Sequence, residues 1–364
     1  MLPKSGYEIW LEGEGVAVYS GYGASNVANA PRTDWERVGG KGAVFDLRGM
    51  DGYTSAYVVE IEGNSVLAPQ RHMYEEVFYA LEGEGVCEMR ASDGTEKIRP
   101  WHKGSVIAPP LNCSYRLRNT AAQRALVFAV TDAPLVMDLF HSDSFIHNNP
   151  FTFEDRIAAA FNDDEETSAY SDRGILVVEG SHIDAGAVKL GSRSKTGEGT
   201  RRAIFGMSGN SLAGHMGQGT VGRYGRAHHH GGGAVILTLQ SNGYTLMWPA
   251  QFGLRPFETG HGDQVVRIDW EPGAIVSPPT GWFHQHFNIG AEPNRYIAFR
   301  FGYGCVFPTR FYANTHDVNG DTACMASTRV GGTMISYDDE DPHIHELYES
   351  ALRKSGVDCK MDHS

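Results

Sequence analysis

The chain repeats itself, and that repeat narrows the choice of fold more than any other feature. The stretch APQRHMYEEVFYALEGEG (68–85) aligns with GRAHHHGGGAVILTLQSNG (225–243) when His72 is laid on His230, and both run through an apolar strand into a glycine turn. Downstream, GSVIAPPLNCSYRLRN (104–119) aligns without a gap with GAIVSPPTGWFHQHFN (273–288). The first pair is offset by 158 positions and the second by 169, so the second copy carries 11 more residues between its motifs, placed in a loop at 250–271. Two copies of one unit in 364 residues imply two similar domains, each large enough for a core of its own.

Each copy reads as short apolar or alternating strands separated by Gly, Pro, Asn and Asp turns. The strands fall at 56–62, 75–83 and 125–131 in the first copy, and at 234–240, 244–248 and 295–301 in the second. The 44 glycines follow no three-residue period, which fits tight turns and excludes a collagen-like chain. The expected class is all-β, two tandem jelly-roll barrels with a few peripheral helices. One helix is expected at 152–161, capped by Thr152. Another is expected at 341–356, with Pro342 in its first turn, Ile344, Leu347, Tyr348, Ala351 and Leu352 along one stripe, and Gly356 as its stop. The resulting organisation is an N-terminal arm at 1–39, a first barrel at 40–140, a linker with a short helix at 141–199, a second barrel at 200–304 and a C-terminal tail with a helix at 305–364.

A formal charge of −13 argues against nucleic acid or an anionic membrane as partner, since both demand a basic surface. The N-terminus has no apolar stretch of signal-peptide length, and nothing approaches the roughly 20 apolar residues of a membrane span. A soluble, cytoplasmic protein acting on a small molecule is expected. Cys87, Cys113, Cys305, Cys324 and Cys359 are odd in number, widely spaced and free of CxxC pairs, so neither a disulfide framework nor a cysteine zinc site is suggested.

With these motifs the chain resembles the cupin superfamily. Its first signature is a glycine, five residues, His-X-His and a glutamate four or five positions on; its second is a glycine, five residues, Pro-X-Gly, two residues, a histidine, three residues and an asparagine. The second copy matches with Gly222, His228 and His230, and then with Gly273, Pro279, Gly281, His284 and Asn288. It lacks the glutamate: Ala234 and Val235 stand there. The first copy has Gln70 and His72 for the two histidines, keeps Glu76, and has Tyr115 for the third histidine and Asn112 for the motif glycine, so its metal site reads as degenerate. Bicupins commonly associate, and the N-terminal arm and C-terminal helix show no partner in either barrel, so a homo-oligomer is expected.

Residues i and i+2 of a strand face the same way, so His228 and His230 look into the barrel together, and His284 completes three imidazoles from across it. Neutral imidazoles suit iron, copper, nickel and zinc, whereas all-oxygen sites suit magnesium or calcium; Fe(II) is the expected cofactor, with manganese, zinc or nickel as the alternatives. Three neutral ligands also leave an ion's double charge uncompensated and favour a bidentate anionic substrate plus dioxygen. That resembles the three-histidine Fe(II) dioxygenases among cupins, gentisate and salicylate dioxygenases included, although in gentisate-type bicupins the metal lies in the first barrel. Manganese oxalate decarboxylases, which keep the glutamate, resemble it less. The resemblance implies an Fe(II) dioxygenase that cleaves a C–C bond. The alternatives are a metal-dependent lyase, isomerase or amidohydrolase, or a binding protein without catalysis. His286 shares the face of His284 and is a candidate for proton transfer or for supporting the ligands. Gln240, Arg300, Trp248 and Trp282 are candidate substrate contacts, with Arg300 offering a bidentate fork to a carboxylate.

Overall fold

In this computed structural model, residues 3–162, 167–170, 176–193, 197, 200–301, 317–318 and 321–361 are described. The two copies fold as two β-barrels. In the first, a large sheet runs in the order Ala17–Gly21, Gly40–Leu47, Ser55–Ile61, Ala125–Thr131, Glu76–Glu82, Ser105–Ile107 and His182–Asp184. It faces a three-stranded sheet of Ser114–Asn119, Glu84–Arg90 and Glu96–His102. The second barrel repeats the plan. Its large sheet includes Leu176–Gly180, Arg201–Met207, Leu212–Gly219, Asn294–Phe301, Val235–Gln240 and Ile275–Val276, and its small sheet is Val266–Trp270, Gly243–Pro249 and Trp282–Asn288. Alternation makes the faces: along Ser114–Asn119, Tyr115 and Leu117 turn into the core while Arg116 and Arg118 turn out to Glu88.

The repeat reaches further upstream than its motifs. Ala17–Gly21 pairs in parallel with Gly40–Leu47, and Leu176–Gly180 pairs in parallel with Arg201–Met207. Each barrel then gives a short strand to the other. Gly23–Ala24 joins Ile275–Val276 of the second barrel, and His182–Asp184 joins Ser105–Ile107 of the first. The outer faces of the two large sheets share one apolar core, in which Phe128 of the first barrel lies 6.2 Å from Phe299 of the second and Phe205 lies 5.9 Å from Phe299. This shared core and the exchanged strands fix one barrel on the other.

The C-terminal helix, Pro342–Ser355, starts where Asp341 accepts from the His343 amide and stops at left-handed Gly356, and it buries Ile344, Tyr348 and Leu352. They cover the outer face of the second barrel's small sheet, against Tyr244, Phe283 and Phe287. Asp341 also accepts from the amides of Phe257 and Glu258, which ties the 250–271 insertion to this helix; the insertion, expected to be a loop, contains the strand Val266–Trp270. The other expected helix begins at Glu154, beyond Thr152, which therefore does not cap it. Three further helices, Gly6–Glu14, Ala133–Phe140 and Asp143–His147, went unforeseen. The N-terminal helix packs Tyr7 and Leu11 into the core of the first barrel. Arm and C-terminal helix thus both have partners within their own chain, and the expectation of a homo-oligomer rests on the resemblance alone. No helix among the described residues is long and apolar enough to cross a membrane. Cys305 lies outside the described residues; Cys87, Cys113 and Cys359 are free thiols.

Candidate metal centre

The segment bearing His228 and His230 is extended but lies outside any regular strand. His228 exchanges both backbone hydrogen bonds with His284, at 3.2 and 2.9 Å. On its other side the tail runs alongside: Ile335 donates to the Ala227 carbonyl, the His229 amide to Thr333, and the Thr333 hydroxyl back to His229. The first barrel braces the site from a third direction. Asp51 accepts from the amide and hydroxyl of Thr280, in the turn before His284, and Thr54 donates to the Gly233 carbonyl. Gly49 lies so close to the Ser277 carbonyl that any β-carbon would stand 2.0 Å from its oxygen.

These supports bring the three imidazoles together. One ring nitrogen of each of His228, His230 and His284 lies within 4.8 Å of the others, and the ring centres are 4.6 to 5.7 Å apart. Nδ1 of each ring is committed to a backbone carbonyl: His228 to Arg226 at 3.1 Å, His230 to Gly231 at 2.7 Å and His284 to Trp282 at 3.1 Å. A carbonyl only accepts, so each Nδ1 carries the proton and each Nε2 keeps its lone pair. Burial pushes His228 down to about 4, helped by Arg300, and pushes His230 and His284 well below the ordinary imidazole value. The three are held neutral, the form a cation needs. The donor set fits a first-row divalent ion such as iron, copper, nickel or zinc.

Strand pairing shows what else faces inward. His284 is opposite Met247 and His286 opposite Thr245, whose hydroxyl lies 2.8 Å from Nδ1 of His286. On the large sheet, Arg300 pairs with Ala213, Ala298 with His215 and Tyr296 with Gly217. Their strand neighbours Ile297 and Phe299 belong to the inter-barrel core, so this set points the other way, into the barrel. Burial lowers His215 and His286, and the positive charges of Arg202 and Arg300 lower His215 further. Among the described residues no carboxylate joins the three-histidine cluster. Arg202, His215, Ile236, His286 and Tyr296 keep partial exposure, which marks this interior as open to solvent.

Two candidate contacts fall elsewhere. Gln240 lies past a bulge at the strand end and donates to Glu292 at the surface, away from the imidazoles. Trp248 pairs with Phe283, one position out of phase with Met247 and His284, so it faces the C-terminal helix and donates to Gly253. Trp282 is on the inward side at the barrel edge, its ring centre 5.3 Å from that of Tyr22 of the N-terminal arm, the two rings tilted. His215, Arg202 and Tyr296 were missed. A strand at 212–219 would have exposed His215, but Gly214, Gly217 and Gly219 hid its pattern.

The first barrel holds the same backbone frame with different side chains. Gln70 and Tyr115 exchange the bridge that His228 and His284 form in the second, at 2.8 and 3.0 Å. Asn112 takes the left-handed place of Gly281, φ 57° against 71°. Here Gln70 turns its amide to the carbonyls of Arg37 and Ala68. His72 approaches Glu76 at 3.1 Å, and Glu76 accepts from Tyr57 and Tyr115. Burial raises the Glu76 carboxyl, but His72 and the two hydroxyls outweigh it and hold it below its ordinary value. Only about 30 Å³ of cavity remains between these groups and the N-terminal helix.

No protein-family model matches the sequence, and no curated protein matches it. Among solved structures, the chain is similar to a tryptophan-to-tyrosine variant of oxalate decarboxylase from Bacillus subtilis, 12% identical over 78% of each chain, with a TM-score of 0.50. A structure of the same enzyme concerned with its Mn(II) centres is 12% identical over 78% of each chain, with a TM-score of 0.49. The chain folds as a bicupin. In this bicupin the second barrel carries the open, histidine-lined interior and the first is filled.

Proposed function

We propose that the second barrel is the active site of a mononuclear Fe(II) dioxygenase that cleaves a C–C bond in a small substrate chelating through two oxygens, a phenol, heteroaromatic or diketone. The observation that carries this reading is the convergence of three neutral imidazoles, each with Nδ1 tied to a carbonyl, in an interior whose other charged groups are cationic. A ferrous ion held there would supply open coordination positions for substrate and dioxygen. The rest is done by the chain. The carbonyl locks hold the imidazoles in the metal-binding tautomer. Arg300, buried on the inward face, pairs with an anionic group of the substrate. His286 and Thr245 form a hydrogen-bonded pair placed to orient a substrate hydroxyl.

A second reading is a manganese-dependent lyase, favoured by the fold shared with oxalate decarboxylase. Metal analysis of freshly purified protein, then an oxygen electrode with gentisate, catechol and diketone analogues, separates the two. Isotopic labelling should place both atoms of dioxygen in the product. Turnover that continues under anaerobic conditions overturns the dioxygenase and favours the lyase; no turnover with any loaded metal leaves a binding protein.

A further inference from the structure

Outside the barrels' own sites, the C-terminal helix carries a second cluster of metal-ligand type. His345 and Glu349 are four residues apart and share one helical face, with His345 Nε2 3.4 Å from Glu349 Oε1. Gly356, left-handed, ends the helix and lets the chain reverse: Val357 donates to the Leu352 carbonyl and Lys360 to the Gly222 carbonyl. This return lays Cys359 beside the helix. One ligand atom each of His345, Glu349 and Cys359 lies within 4.8 Å of the other two, and all three residues are partly buried. No sequence motif announces the cluster, because a helix and a reversed tail bring in the ligands from separate segments rather than from a CxxC pair.

The imidazole is also set for coordination from behind. Tyr224 donates its hydroxyl proton to Glu340 at 2.6 Å. The Tyr224 oxygen is 3.4 Å from Nδ1 of His345, where it accepts from the ring. Nδ1 therefore carries the proton, and Nε2, the nitrogen that faces Glu349, keeps the lone pair. A histidine whose far nitrogen donates to a carboxylate-backed acceptor is the arrangement that orients metal ligands.

We infer that His345, Glu349 and Cys359 form a second metal site, one that takes a borderline-soft divalent ion of the zinc class and clamps the C-terminal tail to the helix. Thiolate, imidazole and carboxylate are the ligand types of zinc, and three protein ligands leave the fourth tetrahedral position to water. Hard ions such as calcium or magnesium do not suit a thiolate. Binding releases the Cys359 proton to solvent as the sulfur–metal bond forms, with no redox change. The site lies behind the sheet that bears His284: Tyr348 of the same helix donates to the Asn288 carbonyl, at the end of that strand.

Cobalt(II) tests the inference in the full-length metal-free chain, because a thiolate ligand produces an intense sulfur-to-cobalt charge-transfer band, and no cysteine joins the three-histidine cluster among the described residues. Wild type should bind two equivalents and show the band. Cys359→Ser and His345→Ala should each lose the band and one equivalent, while His284→Ala should lose one equivalent and keep the band. Circular dichroism confirms that each variant is folded. No band in wild type, or a band that survives in Cys359→Ser, overturns the site. A band with a single equivalent keeps this site and removes the three-histidine centre, so the two failures are distinguishable.

Discussion

The two barrels share one core, so a metal bound in the second should stabilise the first. Phe128 belongs to the first barrel, is fully buried, and has its ring 6.2 Å from Phe299 of the second. It lies on the far side of the sheets from the imidazoles. Truncation to alanine should cost about 3–5 kcal/mol, the usual range for a buried phenylalanine. An ion that binds only the folded chain returns about 4 kcal/mol when its free concentration is 1,000 times its Kd. The two effects are of equal size and should nearly cancel. With an unfolding entropy of about 2.1 cal/mol/K per residue, each corresponds to about 5 °C in Tm if all 364 residues unfold together. Scanning calorimetry of wild type and Phe128→Ala, with and without metal, should show one transition that falls on substitution and recovers on loading. Two transitions, one moved by Phe128→Ala and the other by metal, would refute the coupling.

Three further outcomes follow from the site. His284→Ala should leave the second barrel with a small fraction of its metal by elemental analysis, whereas Tyr115→Phe should leave metal content unchanged. Ala234 occupies the position that Glu76 holds in the first barrel, from which a carboxylate reached the paired histidine at 3.1 Å. Ala234→Glu should therefore cancel part of the charge that attracts an anionic substrate and raise its Kd about tenfold, about 1.4 kcal/mol by titration. Burial lifts Glu340 to about 7 despite the hydrogen bonds from Tyr224 and Gln285. The folded chain thus holds this proton more tightly than the unfolded one, and the contribution, full below about pH 4.5, is lost as pH rises through 7. Denaturation of Glu340→Gln should show a flatter stability curve over that window.

The fold was legible because the repeat preserves backbone roles even where side chains change. Gln70 and Tyr115 form the same bridge as His228 and His284, and Asn112 keeps the left-handed turn of Gly281. What escaped the reading was set by pairing or by distant chain. Trp248 could be placed only once its strand was phased against His284, and Gln240 only once the bulge beyond Thr238 was known. The tail at 326–335, which flanks His228, and the exchanged strand at 182–184 carry no pattern of their own, since short edge segments take their structure from the strand they join.

Both barrels use the same device on their histidines, and the difference between them lies on the other side of the ring. His72 also gives Nδ1 to a carbonyl, that of Tyr74 at 2.8 Å, so its Nε2 faces inward as those of the second barrel do. There it meets Glu76 at 3.1 Å, with Tyr115 3.3 Å away. The pair is satisfied within the protein, and aromatic side chains fill the remaining space. In the second barrel the carboxylate is Ala234 and the tyrosine is His284, so three Nε2 lone pairs face one another. A cation takes all three as bonds at once, and the barrel's solvent-open interior gives that cation, and a substrate after it, a way in.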